Sequence, residues 1–99
     1  MLSDIRADRV YLACGSTDMR KSIDGLAVLV KEGFALDPFS PALFVFCNRQ
    51  RDKLKILYWE HNGFWLYYRR LEHGTFRWPT DERTAPIPIT RRQLRWLLE

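Results

Sequence analysis

Residues 53–79 read KLKILYWEHNGFWLYYRRLEHGTFRWP, and the way this stretch folds decides the architecture. It is rich in aromatic residues and leucine and is punctuated by His61-Asn62-Gly63 and by Glu72-His73-Gly74. Those features predict three successive strands, KLKILYWE, GFWLYYRRL and TFRWP, joined by tight turns. An Asn62-Gly63 two-residue turn sets Trp59 opposite Leu66, Leu57 opposite Tyr68 and Lys55 opposite Arg70. A His73-Gly74 turn then sets Arg70 opposite Arg77. Side chains alternate between faces, so Leu54, Ile56, Tyr58, Trp65, Tyr67, Leu71, Phe76 and Trp78 share one face. That face is the expected core, packed against the first helix. The other carries Lys53, Lys55, Arg70 and Arg77, with Leu57, Trp59, Phe64, Leu66 and Tyr68 beyond them. Like charges facing each other destabilise a sheet, so such a row calls for anions. Either Glu or Asp side chains supply them, or phosphates do, with Arg49 and Arg51 of the preceding turn extending the patch. A solvated face with splayed side chains is the alternative.

Working outward, ALFVFCN (42–48) lacks strict alternation and reads as a strand buried on both faces. LDPFSP (36–41) is a turn, because its prolines cannot continue a helix. Met19, Ile23, Leu26, Ala27, Val30 and Phe34 form an apolar stripe and predict a helix over 19–34. RVYLA (9–13) is a first strand. Residues 79–88 carry three prolines and read as a loop or an edge segment. TRRQLRWLLE (90–99) is a closing helix capped by Thr90, with a basic side of Arg91, Arg92 and Arg95 beside Trp96. No helix-ending signal precedes Glu99, which reads as a truncated C-terminus. The expected fold is α+β in a single domain spanning 1–99. It has one antiparallel sheet of four to five strands, one long helix on a face and a short C-terminal helix.

CGSTDMRKS (14–22) supports two readings. Thr17 or Asp18 can cap a helix, with Arg20 pairing Asp24. Alternatively Gly15, Ser16, Thr17, Arg20 and Lys21 cradle an anion. The GxxxxGK[ST] spacing of a nucleotide-binding loop is absent.

The chain has 99 residues, enough for one modest core, and a formal charge of +4 that favours anionic partners. Four Trp, four Tyr and six Phe leave aromatics for a partner surface after the core is filled. Cys14 and Cys47 form no CxxC pair, and His61 and His73 are isolated, so no metal cage is expected. Two free thiols suit the cytoplasm. The N-terminus lacks the order of a signal peptide, and no apolar run spans a bilayer. Asp18, Asp24, Asp52 and Glu60 show no convergence on a metal, and no nucleophile has a recognisable base, so neither catalysis nor a cofactor is expected. A metal-dependent nuclease built from scattered acids is the remaining rival.

The blocks T-D-M-R-K (17–21) and F-x-F-x-N-R-x-R-D-K-x-K-I-L-x-W (44–59) resemble the small accessory protein of IS66-class bacterial insertion sequences. This is the product of their second open reading frame, TnpB. The resemblance runs from Val10 to Pro79. It departs at Ser22, where family members commonly carry glycine. It implies a role in transposition of a mobile element whose DDE transposase is a separate protein. Combined with the residues, it gives an expected non-catalytic accessory protein. Its expected partners are element-end DNA, bound through Arg49, Arg51, Lys53, Lys55, Arg70 and Arg77, and the transposase, with self-association a further possibility. The rival is an adaptor that docks on the transposase or on itself through Trp59, Phe64 and Trp96, without touching DNA.

Overall fold

The computed structural model describes Ala7, residues 9–79 and residues 85–99. Five strands form one sheet: β1 (Arg9–Leu12), β2 (Ala42–Cys47), β3 (Lys53–Glu60), β4 (Gly63–Arg70) and β5 (Ile87–Ile89). Their order across the sheet is β4-β3-β2-β1-β5. Helix α1 (Ile23–Val28) widens into a π turn over Leu29–Gly33, and α2 (Arg91–Leu98) closes the chain. The fold is α+β as expected, with two corrections. The sheet is mixed, because β1 and β2 run parallel. The long connection 13–41 contains a helix and crosses over one face, and such a crossover returns the chain in the same direction. The first helix is also short.

The apolar stripe continues past both ends of α1: Met19 and Phe34 still pack on the core. The backbone does not stay helical with them. The carbonyls of Met19 and Lys21 accept hydrogen bonds from Lys55 Nζ at 2.8 and 2.9 Å. A helix starting at Met19 would need those carbonyls for its own first turn. The first i→i+4 bond is Leu26 N–H to Ser22 O, 2.9 Å. At the other end Ala35 takes φ 54°, a left-handed residue that stops the helix.

β2 is buried along its whole length, as its unbroken apolar sequence predicts. Leu43, Val45 and Cys47 belong to one core, with Leu54, Ile56 and Tyr58 of β3. Phe44 and Phe46 belong to the other, with Leu57. Phe76, Trp78 and Leu94 of α2 cover the first face. Leu26 and Val30 cover the second. The alternation therefore sorts the residues correctly, but α1 lies on the face opposite to the expected one. The Lys55–Leu57 side carries it.

The β3–β4 turn is His61-Asn62, with Glu60 opposite Gly63 and Trp59 opposite Phe64. Every partner is two positions from the expected register, so parity and face are preserved while Lys55 meets Tyr68 and Lys53 meets Arg70. Aromatic packing explains the choice. Trp59 and Phe64 stand edge to face at 4.9 Å, and Phe39 closes on both at 4.9 and 5.4 Å. In return His61 sits at φ 56°, a strain of roughly 1 kcal/mol for a residue with a Cβ. TFRWP is not a strand. Leu71 N–H donates to Asp52 O and Phe76 N–H to Arg51 O, both 2.7 Å, so 71–79 folds over the β2–β3 turn and across the end of the sheet. β5 begins within the segment expected to be a loop or an edge. It pairs antiparallel with β1, and Pro88 is tolerated because it lies at an edge. Within the predicted 79–88 segment, residues 80–84 lie outside the described residues.

Candidate nucleic-acid interface at one end of the sheet

β1 and β2 are parallel neighbours, so the loops leaving their C-terminal ends, 13–22 and 48–52, lie side by side. β3 starts and β4 ends there too, which brings Lys53 and Arg70 to the same end. This topology joins the loop read as an anion cradle to the turn read as a basic patch. Between them is a cavity of about 230 Å3, lined by Gly15, Ser16, Asn48, Arg49, Arg51 and Trp78. In open sheets the crevice beyond the C-terminal ends of parallel strands is a common place for ligands.

Asn48 builds the turn. Its Oδ1 accepts from the N–H groups of Asp52 and Lys53 at 3.1 and 3.0 Å, and its Nδ2 donates to Asp52 Oδ1 at 2.7 Å. That bond holds the Asp52 carboxyl below the usual carboxylate range. Arg51 takes φ 61°, which swings the chain back into β3. Arg49 and Arg51 are exposed. On the opposite wall Gly15 has φ 71°, a conformation open to glycine without a side-chain penalty. Trp78 Nε1 donates to the carbonyls of Ala13 and Gly15, both 3.0 Å, and so staples this loop.

The structure brings some of the predicted site residues together and separates others. Arg49 and Arg51 line the cavity, while Lys53 and exposed Arg77 stand at the same end. Gly15 and Ser16 line it from the facing loop. Arg70 shares this end, but its guanidinium forms a bidentate pair with Glu72, 3.0 Å for each bond. Lys55 does not extend the patch. It is partly buried, bonded to two carbonyls, and lies 5.9 Å over the Tyr68 ring. In the 15–21 stretch, Gly15 N–H donates to Pro79 O and Thr17 N–H to Cys47 O. Thr17 is buried, and Lys21 is exposed. Arg20 pairs with Asp18 rather than Asp24, at 2.7 Å, and its hydrogen bonds bring the Asp18 carboxyl down to about 2. The stretch is therefore a loop before α1, with neither Thr17 nor Asp18 capping the helix. The helix N-cap is Ser22.

Sequence reasoning missed Asn48 and Trp78, which shape the cavity without carrying charge. The signal for Asn48 was its position ahead of four polar residues between two strands, where an Asn side chain stands in for backbone in a turn. Both cysteines are free thiols. Burial pushes Cys47 up to about 11, which keeps it protonated. Among the described residues, no group of three or more His, Cys, Asp or Glu is placed to hold a metal ion. No helix there is long and apolar enough to cross a membrane.

Fold and site together define a small α+β protein with a cationic cleft at one end of a mixed sheet. The chain belongs to the family described as IS66 Orf2 like protein, TnpB_IS66, which matches residues 8–99 and so extends the resemblance through α2. It is 41% identical over 90 residues to "Uncharacterized protein y4hO" of Sinorhizobium fredii (strain NBRC 101917 / NGR234), covering 91% of this chain and 77% of that protein. It is 33% identical over 79 residues to "Uncharacterized protein y4jC" of the same strain, covering 80% and 68%. No solved structure matches it. The family ties the chain to insertion sequences and to accessory functions in transposition.

Proposed function

We propose that the protein is a non-catalytic accessory factor of transposition that grips the phosphate backbone of element-end DNA with the basic end of its sheet. The observation that carries this reading is the arrangement of Arg49, Arg51, Lys53 and Arg77. Asp18 and Glu72, the acids beside them, are paired to Arg20 and Arg70, and Asp52 is bonded to Asn48. Among the described residues no acidic partner reaches Arg49, Arg51, Lys53 or Arg77 within bonding distance. Cations around a cleft that hold no direct ion pair suit a polyanion. Arg70 joins them by exchanging an exposed carboxylate for a phosphate, a small step because such surface pairs are worth at most about 1 kcal/mol.

The test is a titration of labelled element-end duplex with the wild type and with Arg49→Ala/Arg51→Ala/Arg77→Ala. Affinity should fall at least tenfold in the variant. Equal affinity would remove this end of the sheet from the interface. A second reading, an adaptor docking on the transposase, is favoured by Trp96, which is 64% exposed on α2. Trp59 and Phe64 serve that reading less well, because Phe39 packs against both.

A further inference from the structure

The two edges of the sheet differ. β5 is three residues long with Pro88 at its centre, which is how natural sheets block unwanted pairing. β4 is eight residues long and has neither proline nor charge before Arg69. Glu60 and Gly63 close a two-residue turn, so Gly63 exchanges hydrogen bonds with β3. Alternation then turns the N–H and C=O groups of Phe64, Leu66, Tyr68 and Arg70 to the outer edge. Among the described residues no strand pairs with them. Trp65 and Tyr68, on opposite faces of this strand, remain 53% and 54% exposed.

We propose that β4 pairs antiparallel with β4 of a second copy, joining two sheets into one across a two-fold axis at Tyr67. Such an axis stands perpendicular to the sheet and keeps every residue on its own face, so facing residues must share parity. With Tyr67 opposite itself, Leu66 faces Tyr68 and Phe64 faces Arg70. All four outward-turned residues then find a partner. Centring on Leu66 instead would set Arg70 against the turn residue Asn62.

Charge favours the same arrangement. Parallel pairing in register would line up Arg69 and Arg70 with their own copies, and facing like charges destabilise a sheet. Antiparallel pairing sets each Arg69 beside the other copy's Trp65 and each Arg70 beside the other copy's Phe64, so that their aliphatic stems cover the rings while the guanidinium groups keep Leu98 O and Glu72. The two Arg69 positions are then four residues apart along the strand, about 14 Å, beyond the screening length of ~8 Å at physiological salt. An aromatic half and a cationic end that complement each other on reversal point to a second copy rather than a foreign strand. The two-fold also points the two basic ends in opposite directions. That consequence rests on the DNA reading, whereas the pairing does not.

Sedimentation velocity across a concentration series tests the pairing, with Tyr68→Pro to remove an outward N–H and Tyr68→Ala to keep it. Wild type and Tyr68→Ala should form a dimer with rising concentration, and Tyr68→Pro should stay monomeric. Amide exchange by NMR gives a readout independent of any variant. Protection at Leu66 and Tyr68 should rise with protein concentration, while that at Trp65 and Tyr67 should hold constant. A wild type that stays monomeric throughout overturns the proposal, including one whose edge accepts only a peptide of the transposase. So does a dimer with unchanged exchange at Leu66 and Tyr68.

Discussion

Replacing Lys55 with methionine separates two roles that the sequence could not. Lys55 Nζ holds the carbonyls of Met19 and Lys21 at 2.8 and 2.9 Å and so ties the segment before α1 to the sheet. Hydrogen bonds from a charged group are worth about 1.5–3 kcal/mol each. Part of that returns here, because water can reach the freed carbonyls, and methionine keeps an apolar stem opposite Tyr68. A net loss of about 2 kcal/mol is the working figure. For a domain of this size it lowers Tm by about 8–16 °C. Thermal unfolding followed by circular dichroism reads it directly. DNA affinity, measured well below Tm, should change little. Unchanged Tm together with weakened DNA binding would refute the reasoning, because it would show Lys55 reaching a phosphate instead of holding the fold.

Trp78→Phe keeps the ring but strips two carbonyls of their donor, and urea unfolding should show a loss of about 2 kcal/mol, with the 13–17 loop loosened. Ala35→Gly relieves a left-handed backbone at φ 54°, and its Tm should rise by the equivalent of up to about 1 kcal/mol; a fall would mean that the Ala35 methyl contributes packing. Asp18 supplies a pH test. Its carboxyl is lowered from 3.8 to about 2 in the folded state by Arg20, so its contribution is complete above pH 4 and is lost as pH falls through 2. The urea midpoint of wild type should therefore drop more between pH 5 and pH 2 than that of Asp18→Asn; equal drops would show that the pair contributes nothing.

Local pattern carried much of the fold. The unbroken run ALFVFC announced a strand covered on both sides, and alternation in 53–70 separated Leu54, Ile56 and Tyr58 from Lys53, Lys55 and Leu57. Thr90 caps α2 as expected, and Gln93 completes a capping box with it. What local pattern missed was non-local. The order strand–helix–strand over 9–47 carried the signal for a parallel pair, since such a pair needs a crossover of a dozen or more residues, usually through a helix. Asn62-Gly63 looked like the turn, but Phe39, distant in sequence, packs on Trp59 and Phe64 and fixes the turn one residue earlier, which shifts the register by two. Lys55 looked like a surface cation, and nothing in its neighbours revealed that two carbonyls from residues 19 and 21 would claim it. The candidate site was legible as two separate halves. Their meeting depended on the parallel pairing of β1 and β2.

The most direct measurement is the salt dependence of binding to element-end DNA. Each phosphate neutralised on a duplex contributes about 0.9 to the slope of log affinity against log salt. The account predicts a steep negative slope for wild type, and one shallower by roughly 2.7 for Arg49→Ala/Arg51→Ala/Arg77→Ala. Equal slopes for the two proteins, or wild-type binding indifferent to salt, would contradict it.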